Sequence, residues 1–268
     1  MNKAILLGTT GVAAALAMLA FGFVTGNPQT AKADTVQIVQ TASSDGTKID
    51  RAEVEGIIRD YLLKNPEVLL EAQSALEAKQ KEEQRIASLG VIKNAKDEIF
   101  NSSFDGVVGN PNGKVTIVEF YDYNCGFCKR AIDDMRALTK ADPNLRFVLK
   151  EFPILGPDSQ KASVVSMAFH LMKPEKYGEF HNALLGGQGR ATEAAAIKVA
   201  LSLGADEATL REKMKDPSIT QTFSKTYELA NKLAITGTPS YVVGNEVVFG
   251  ALGREVLAEK IEAAKAAL

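Results

Sequence analysis

The residues best equipped for chemistry are Cys125 and Cys128, the only two cysteines of this 268-residue chain. They lie in Tyr121-Asp122-Tyr123-Asn124-Cys125-Gly126-Phe127-Cys128-Lys129-Arg130. A short β-branched run, Val115-Thr116-Ile117-Val118-Glu119-Phe120, leads in and reads as a buried central strand. Ala131, Ile132, Met135 and Leu138 lead out at helical spacing. The pair therefore sits where a strand ends and a helix begins. A helix N-terminus carries unpaired N–H groups and about half a positive charge, which stabilises a thiolate, the reactive form of cysteine. Cys125, at the mouth, is expected to be the exposed attacker. Cys128, in the first turn, is expected to be buried and to resolve a mixed disulfide.

Other uses of the pair lack the residues they need. Zinc needs two further ligands, and the remaining candidates, His170 and His181, lie together in another segment. Covalent haem attachment needs histidine after the second cysteine, where Lys129 stands. A bridge that closes so small a ring removes little chain entropy, so a purely structural disulfide would gain little.

The sequence resembles the DsbA-like family of the thioredoxin superfamily. The resemblance rests on Glu119-Phe120 and the aromatic-x-Cys125-x-x-Cys128 segment, and on Thr236-Gly237-Thr238-Pro239-Ser240 far downstream, followed by Tyr241-Val242-Val243. It covers roughly Gly106 to Leu268. It implies an α/β, thioredoxin-like fold with an inserted helical domain, and a cis bond before Pro239. Thr238 and Pro239 would then offer backbone to an extended substrate segment as an added strand. It implies a third site residue, Glu119, an acidic group that moves protons at the buried cysteine. A carboxylate paired with Lys129, Lys150 or another strand neighbour is the other reading, because a buried strand carboxylate must be satisfied or neutral. Glu151 is a weaker candidate of the same kind. Gly126-Phe127 and Thr238 are closer to the disulfide isomerases and to the ScsC-type proteins than to the best-known oxidases. Tyr121, Tyr123 and Phe127 would form an apolar rim for unfolded substrates, although Tyr123 and Phe127 suit packing equally. The two histidines read as ordinary helix residues.

The rest of the chain must position this pair. Hydrophobic residues make up 46% of the sequence, which supports a packed core. A net charge of −2 argues against nucleic acid as a partner. Residues 1–33 read as a signal peptide: Lys3, an apolar stretch densest from Val12 to Val24, Gly26-Asn27-Pro28, and a cut after Ala33 in Ala31-Lys32-Ala33. An uncleaved membrane anchor facing the periplasm is the alternative. Residues 34–49 read as a flexible linker. Residues 50–105 read as a helical region, with Asp50 and Glu53 as a capping box and Asn65-Pro66 as cap and first residue of a second helix. Its thin apolar stripe must dock on the catalytic domain or on another copy. By the resemblance it makes a dimer or trimer.

Residues 106–268 form the expected catalytic domain, with the helical insertion at roughly 153–235. A second strand is expected at Leu145–Phe152, parallel to the first, and a hairpin around Gly244-Asn245. Gly186–Gly189 lacks the residues of a phosphate cradle and reads as a loop. The expected activity is thiol–disulfide exchange on unfolded or misoxidised exported proteins, recharged by an unidentified membrane redox partner. It leans to isomerisation; the alternatives are a monomeric oxidase and a chaperone or copper-handling protein, since vicinal thiols also bind Cu(I). No metal or organic cofactor is required, because the dithiol is itself the redox group.

Overall fold

The computed structural model describes residues 50–267. The expected signal segment, its cleavage point and the linker to residue 49 lie outside these residues. Among the described residues no helix is long and apolar enough to cross a membrane.

The chain opens with α1 (Arg51–Lys64), α2 (Glu67–Asn94) and the short α3 (Lys96–Phe100). Strand β1 (Gly106–Gly109) precedes β2 (Val115–Tyr121), α4 (Gly126–Ala141) and β3 (Leu145–Glu151). The insertion comprises α5 (Pro157–Met172), a single 3-10 turn at Pro174–Lys176, α6 (Tyr177–Leu185), α7 (Glu193–Ser202), α8 (Glu207–Lys213) and α9 (Pro217–Lys232). Strands β4 (Ser240–Val243) and β5 (Glu246–Phe249) and helix α10 (Arg254–Ala266) complete it.

The sheet has the order β1-β3-β2-β4-β5. Only β2 and β3 pair in parallel, in register Val115↔Leu145 through Tyr121↔Glu151; β1, β4 and β5 are antiparallel to their neighbours. A parallel pair needs a crossover, and α4 supplies it, so the strand–helix junction falls at the C-terminal end of the central strand. The period of two along β2 separates its side chains. Val115, Ile117 and Tyr121 enter the core that includes Ile132 and Met135 of α4, Leu257 of α10 and the insertion. Val118 and Phe120 enter a second core on the opposite face, with Leu229 and Leu233. Glu119 falls on the α4 side by the same alternation.

Two features depart from the expectations. Strand β1 was not foreseen. Its opening Gly106 is required by contact, since a Cβ there would overlap the Tyr177 ring, with the nearest atom 1.7 Å away. Asn65 does not cap α2. Its side-chain amide turns back to the Tyr61 carbonyl at 2.9 Å, and Pro66 stands before α2 with helical backbone angles and no capping bond. Asn65 thus closes α1 instead, its backbone N–H and its side-chain amide both donating to the Tyr61 carbonyl at that helix's end.

The N-terminal helices divide in their surroundings. No residue of α1 is buried. Along α2, Leu69, Leu70, Leu76 and Ile86 are exposed, whereas Ile92 is buried, as is Ile99 of α3. Ile92 and Ile99 belong to the second core, beneath Val118 and Phe120. Docking and exposure, posed as alternatives by the sequence, thus occupy different parts of one helical run.

Candidate active site

Cys125 is the residue preceding α4 and caps it, its Sγ accepting the Cys128 N–H at 3.4 Å. A thiol is a weak acceptor; a thiolate in this place satisfies an orphan amide and faces the positive end of the helix. The Thr238–Pro239 peptide bond is cis, and the Thr238 carbonyl lies 3.1 Å from Cys125 Sγ, as acceptor for the thiol. The two motifs, distant in sequence, therefore meet at one sulfur. Gly250 N–H donates to the Pro239 carbonyl at 2.9 Å and braces the loop from behind.

The two thiols are free and differ in character. Cys125 is pushed down to about 5, chiefly by the hydrogen bond from the Cys128 thiol, with help from the Thr238 side chain and the backbone amides of Cys128 and Phe127 against the cost of burial. Cys128 is pushed far up, first by burial, then by its bond to Cys125 and the charge of Glu119. At neutral pH the pair is one thiolate and one thiol. Contrary to the expected open mouth, Cys125 is only 5% exposed, against 0% for Cys128. The Thr238 carbonyl over its sulfur accounts for part of that cover.

Glu119 is buried and faces Tyr241, its cross-strand partner. Neither expected lysine pairs with it. Lys150 points to the opposite face and binds Asp105 at 2.5 Å and the Glu98 carbonyl at 2.7 Å. Lys129 donates to the carbonyls of Gly187 and Gly189, at 3.3 and 2.7 Å. Burial and the negative charge of Cys125 push Glu119 up to about 8, with the Tyr241 hydroxyl pulling the other way. A carboxyl that titrates near pH 8 beside two sulfurs holds its proton at pH 7 and can donate it, and it accepts one only once ionised.

The expected rim is largely absent. Tyr121 and Tyr123 are fully buried, while Phe127 is 58% exposed with the Arg130 guanidinium over its ring at 4.4 Å. The tyrosines enter a polar network instead. Tyr123 bonds Ser166 at 2.7 Å, Tyr121 bonds Tyr177 at 2.8 Å, and Ser166 and Tyr177 both donate to Glu151. Glu151 is thus a core residue of this network and is not joined to the cysteines. His170 and His181 lie in helices as expected. His181 is wholly buried against the Tyr121 ring, and burial holds it neutral, down to about 3.

Sequence reasoning passed over the residues that shape the loop before Cys125. Asp122 accepts from Asn124 N–H (2.7 Å), Ser159 Oγ (2.8 Å) and Leu155 N–H (2.9 Å). The one signal for it was Asp-x-Asn, whose short polar side chains fold back on local backbone. Among the described residues no group of three or more His, Cys, Asp or Glu could hold a metal ion.

The family described as DSBA-like thioredoxin domain matches residues 116–262, and the copper resistance protein ScsC N-terminal domain matches residues 50–83. A thioredoxin-like oxidoreductase from Silicibacter pomeroyi DSS-3 is 39% identical, with a TM-score of 0.61, over 64% of this chain and 98% of its own. ScsC from Proteus mirabilis, in a transitional conformation, is 28% identical with a TM-score of 0.62, over 81% of this chain and 97% of its own. The Na(+)/H(+) antiporter NhaA 1 of Salinispora arenicola is 27% identical over 60% of this chain, which spans only 24% of the antiporter's length.

Proposed function

The chain belongs to the DSBA-like thioredoxin domain family of thiol–disulfide oxidoreductases, and from that premise we propose that it rearranges wrongly paired disulfides in exported proteins, working as an oligomer. The observation that carries the exchange chemistry is the pairing of a stabilised thiolate at Cys125 with a neutral thiol at Cys128 one helical turn away. The Cys125 thiolate attacks a substrate disulfide, forming the Cys125–substrate bond and expelling the other substrate sulfur as a thiolate. That thiolate then attacks a second substrate disulfide, and the thiolate released there displaces Cys125, so no net electrons are consumed. When the cycle stalls, Cys128 gives up its proton and attacks Cys125. This leaves an oxidised pair and a reduced substrate, and a membrane reductant must then restore the dithiol. In the mixed disulfide the Cys125 charge that helps keep Glu119 protonated is gone, so Glu119 ionises more readily, and its carboxylate serves as the group that accepts the Cys128 proton. Thr238 and Pro239 present the backbone against which the substrate segment lies.

The lean toward isomerisation rests on the N-terminal helices. Their match to the ScsC N-terminal domain and the exposed Leu69, Leu70 and Leu76 support assembly into a dimer or trimer, which gathers several reactive sites around one substrate. Export to the periplasm is inferred from the N-terminal sequence.

Residues 34–268 should be tested on a multi-disulfide protein offered in two forms, fully reduced and oxidised with scrambled pairs. We expect rapid recovery from the scrambled form and loss of that recovery when residues 50–87 are removed. Rapid oxidation of the reduced form, with the scrambled form left inactive, would make the protein an oxidase. Replacing Cys125 by Ser should abolish both activities.

A further inference from the structure

The glycine-rich segment that sequence alone leaves as a plain loop is fastened to the redox centre. Lys129, next to Cys128, holds the carbonyls of Gly187 and Gly189. Arg190 pairs with Asp158 at 2.5 Å, in the first turn of α5. The backbone N–H and the backbone carbonyl of Ala191 are both held by one side chain. Asn124 Nδ2 donates to the Ala191 carbonyl at 2.9 Å, and Asn124 Oδ1 accepts the Ala191 N–H at 2.8 Å. The same Nδ2 donates to Ser159 Oγ at 3.0 Å.

A primary amide is the side-chain group that reproduces a peptide's donor and acceptor together. Asn124 therefore pairs with Ala191 much as one strand residue pairs with another. A hydroxyl would keep one bond, and an alkyl group would leave a buried peptide group unsatisfied. The place matters because Cys125 follows directly. Its Sγ must reach the Cys128 N–H and Thr238 together, and Cys125 is the non-helical residue whose backbone angles aim that sulfur. The turn before it is fixed on its own side by Asp122, whose side chain accepts Asn124 N–H and whose carbonyl accepts Cys125 N–H at 3.0 Å. Asn124 supplies the complementary anchor, to the helical insertion.

We propose that Asn124 is a positioning residue for thiol–disulfide exchange, holding the Cys125 sulfur in its thiolate-stabilising place by clasping the turn to Ala191. This rests on the exchange reading above, but its test does not. The titratable groups around Cys125 are Cys128, Glu119 and Tyr241, and Asn124 carries no charge. Any change in the titration of Cys125 on replacing Asn124 therefore reports geometry.

The experiment titrates the reduced full chain by its ultraviolet thiolate absorbance and follows the rate with a small aromatic disulfide as a function of pH. Because a one-unit shift is tenfold in the thiolate fraction, Asn124→Ala should raise the midpoint of Cys125 by about one pH unit and slow reaction below that midpoint about tenfold. Asn124→Gln, an amide of longer reach, should fall between Ala and the native residue. Arg190→Ala, which loosens the same loop elsewhere, should leave the midpoint in place. An unmoved midpoint in Asn124→Ala overturns the proposal, whatever happens to the melting temperature. If that variant does not fold, an unmoved midpoint in Asn124→Gln overturns it. An equal shift in Arg190→Ala also overturns it, by assigning the effect to the loop as a whole. Wild-type protein inert toward disulfides would instead sink the exchange reading and leave the titration result standing.

Discussion

The most consequential residue besides the cysteines is the buried acid on the central strand. Glu119 holds its proton to about pH 8 when folded, against an ordinary value of 4.5. Between those limits the folded state binds more protons than the unfolded state, so stability falls as pH rises through that window. Glu151, pushed up to about 7 by burial, acts in the same direction. Glu119→Gln should therefore match the native protein near pH 4 and become progressively more stable than it toward pH 8, by on the order of a few kcal/mol at the upper end. Urea unfolding across a pH series checks this; a difference that stays constant with pH would mean that the carboxyl is ionised in the fold. The same residue marks the limit of sequence reading. Its place on the strand was legible from the alternation of Ile117, Glu119 and Tyr121. Its company was not, because Lys129 and Lys150 were nearer in sequence and chemically apt, while the sheet sends Lys150 to the other face. Asn124 was invisible for a related reason, since its partner Ala191 lies 67 residues away.

Among the elements, those with a strong period were legible and those defined by a neighbour were not. The strand β2, the helix α4 and the strand β3 follow from their apolar spacing, and the parallel pairing follows from their connection. Strand β1 has four residues, two of them glycine, and exists because the edge of β3 receives it. The apolar stripe of α2 and α3 looked uniform in sequence, yet the fold treats its parts differently. Ile99 is wholly enclosed in the second core, so Ile99→Ala should cost about 2–4 kcal/mol in the unfolding of the catalytic domain. Leu70 is 67% exposed, so Leu70→Glu should leave that unfolding unchanged. If helices of separate copies meet there, it should weaken their assembly instead. Thermal unfolding and light scattering on the two variants separate these roles. A marked loss of stability in Leu70→Glu at concentrations where the chain is monomeric would show that this part of α2 docks within its own chain.

For the whole molecule, the fold and the meeting of the cysteine pair with the Thr238–Pro239 loop were readable because two short motifs far apart in sequence must converge on one sulfur, and few arrangements bring them there. The number of copies was not readable. A surface that accepts another copy is written only as apolar residues left uncovered. Light scattering on residues 34–268 at micromolar concentration should give a dimer or trimer, and the protein without residues 50–87 should give a monomer. A monomer in both cases would remove the basis for isomerisation and leave an oxidase as the reading. Single-turnover exchange with a small disulfide should be nearly the same in both forms, because the two sulfurs, the buried Glu119 and the Thr238–Pro239 loop all belong to residues 119–241.

Helix α2 is 28 residues long and unbroken, which at the usual rise is about 42 Å. One end is pinned beneath the sheet at Ile92, and the other runs out along Leu69 and Leu70. A continuous helix passes on direction as well as distance, so it behaves as a bracket and not as a rope. Whatever grips the outer end fixes the heading of the sheet at the inner end, and with it the direction in which Cys125 faces. Two glycines placed in mid-helix would keep the span and discard the heading. That change would turn a fixed mount into a loose tether without touching a single atom of the redox centre.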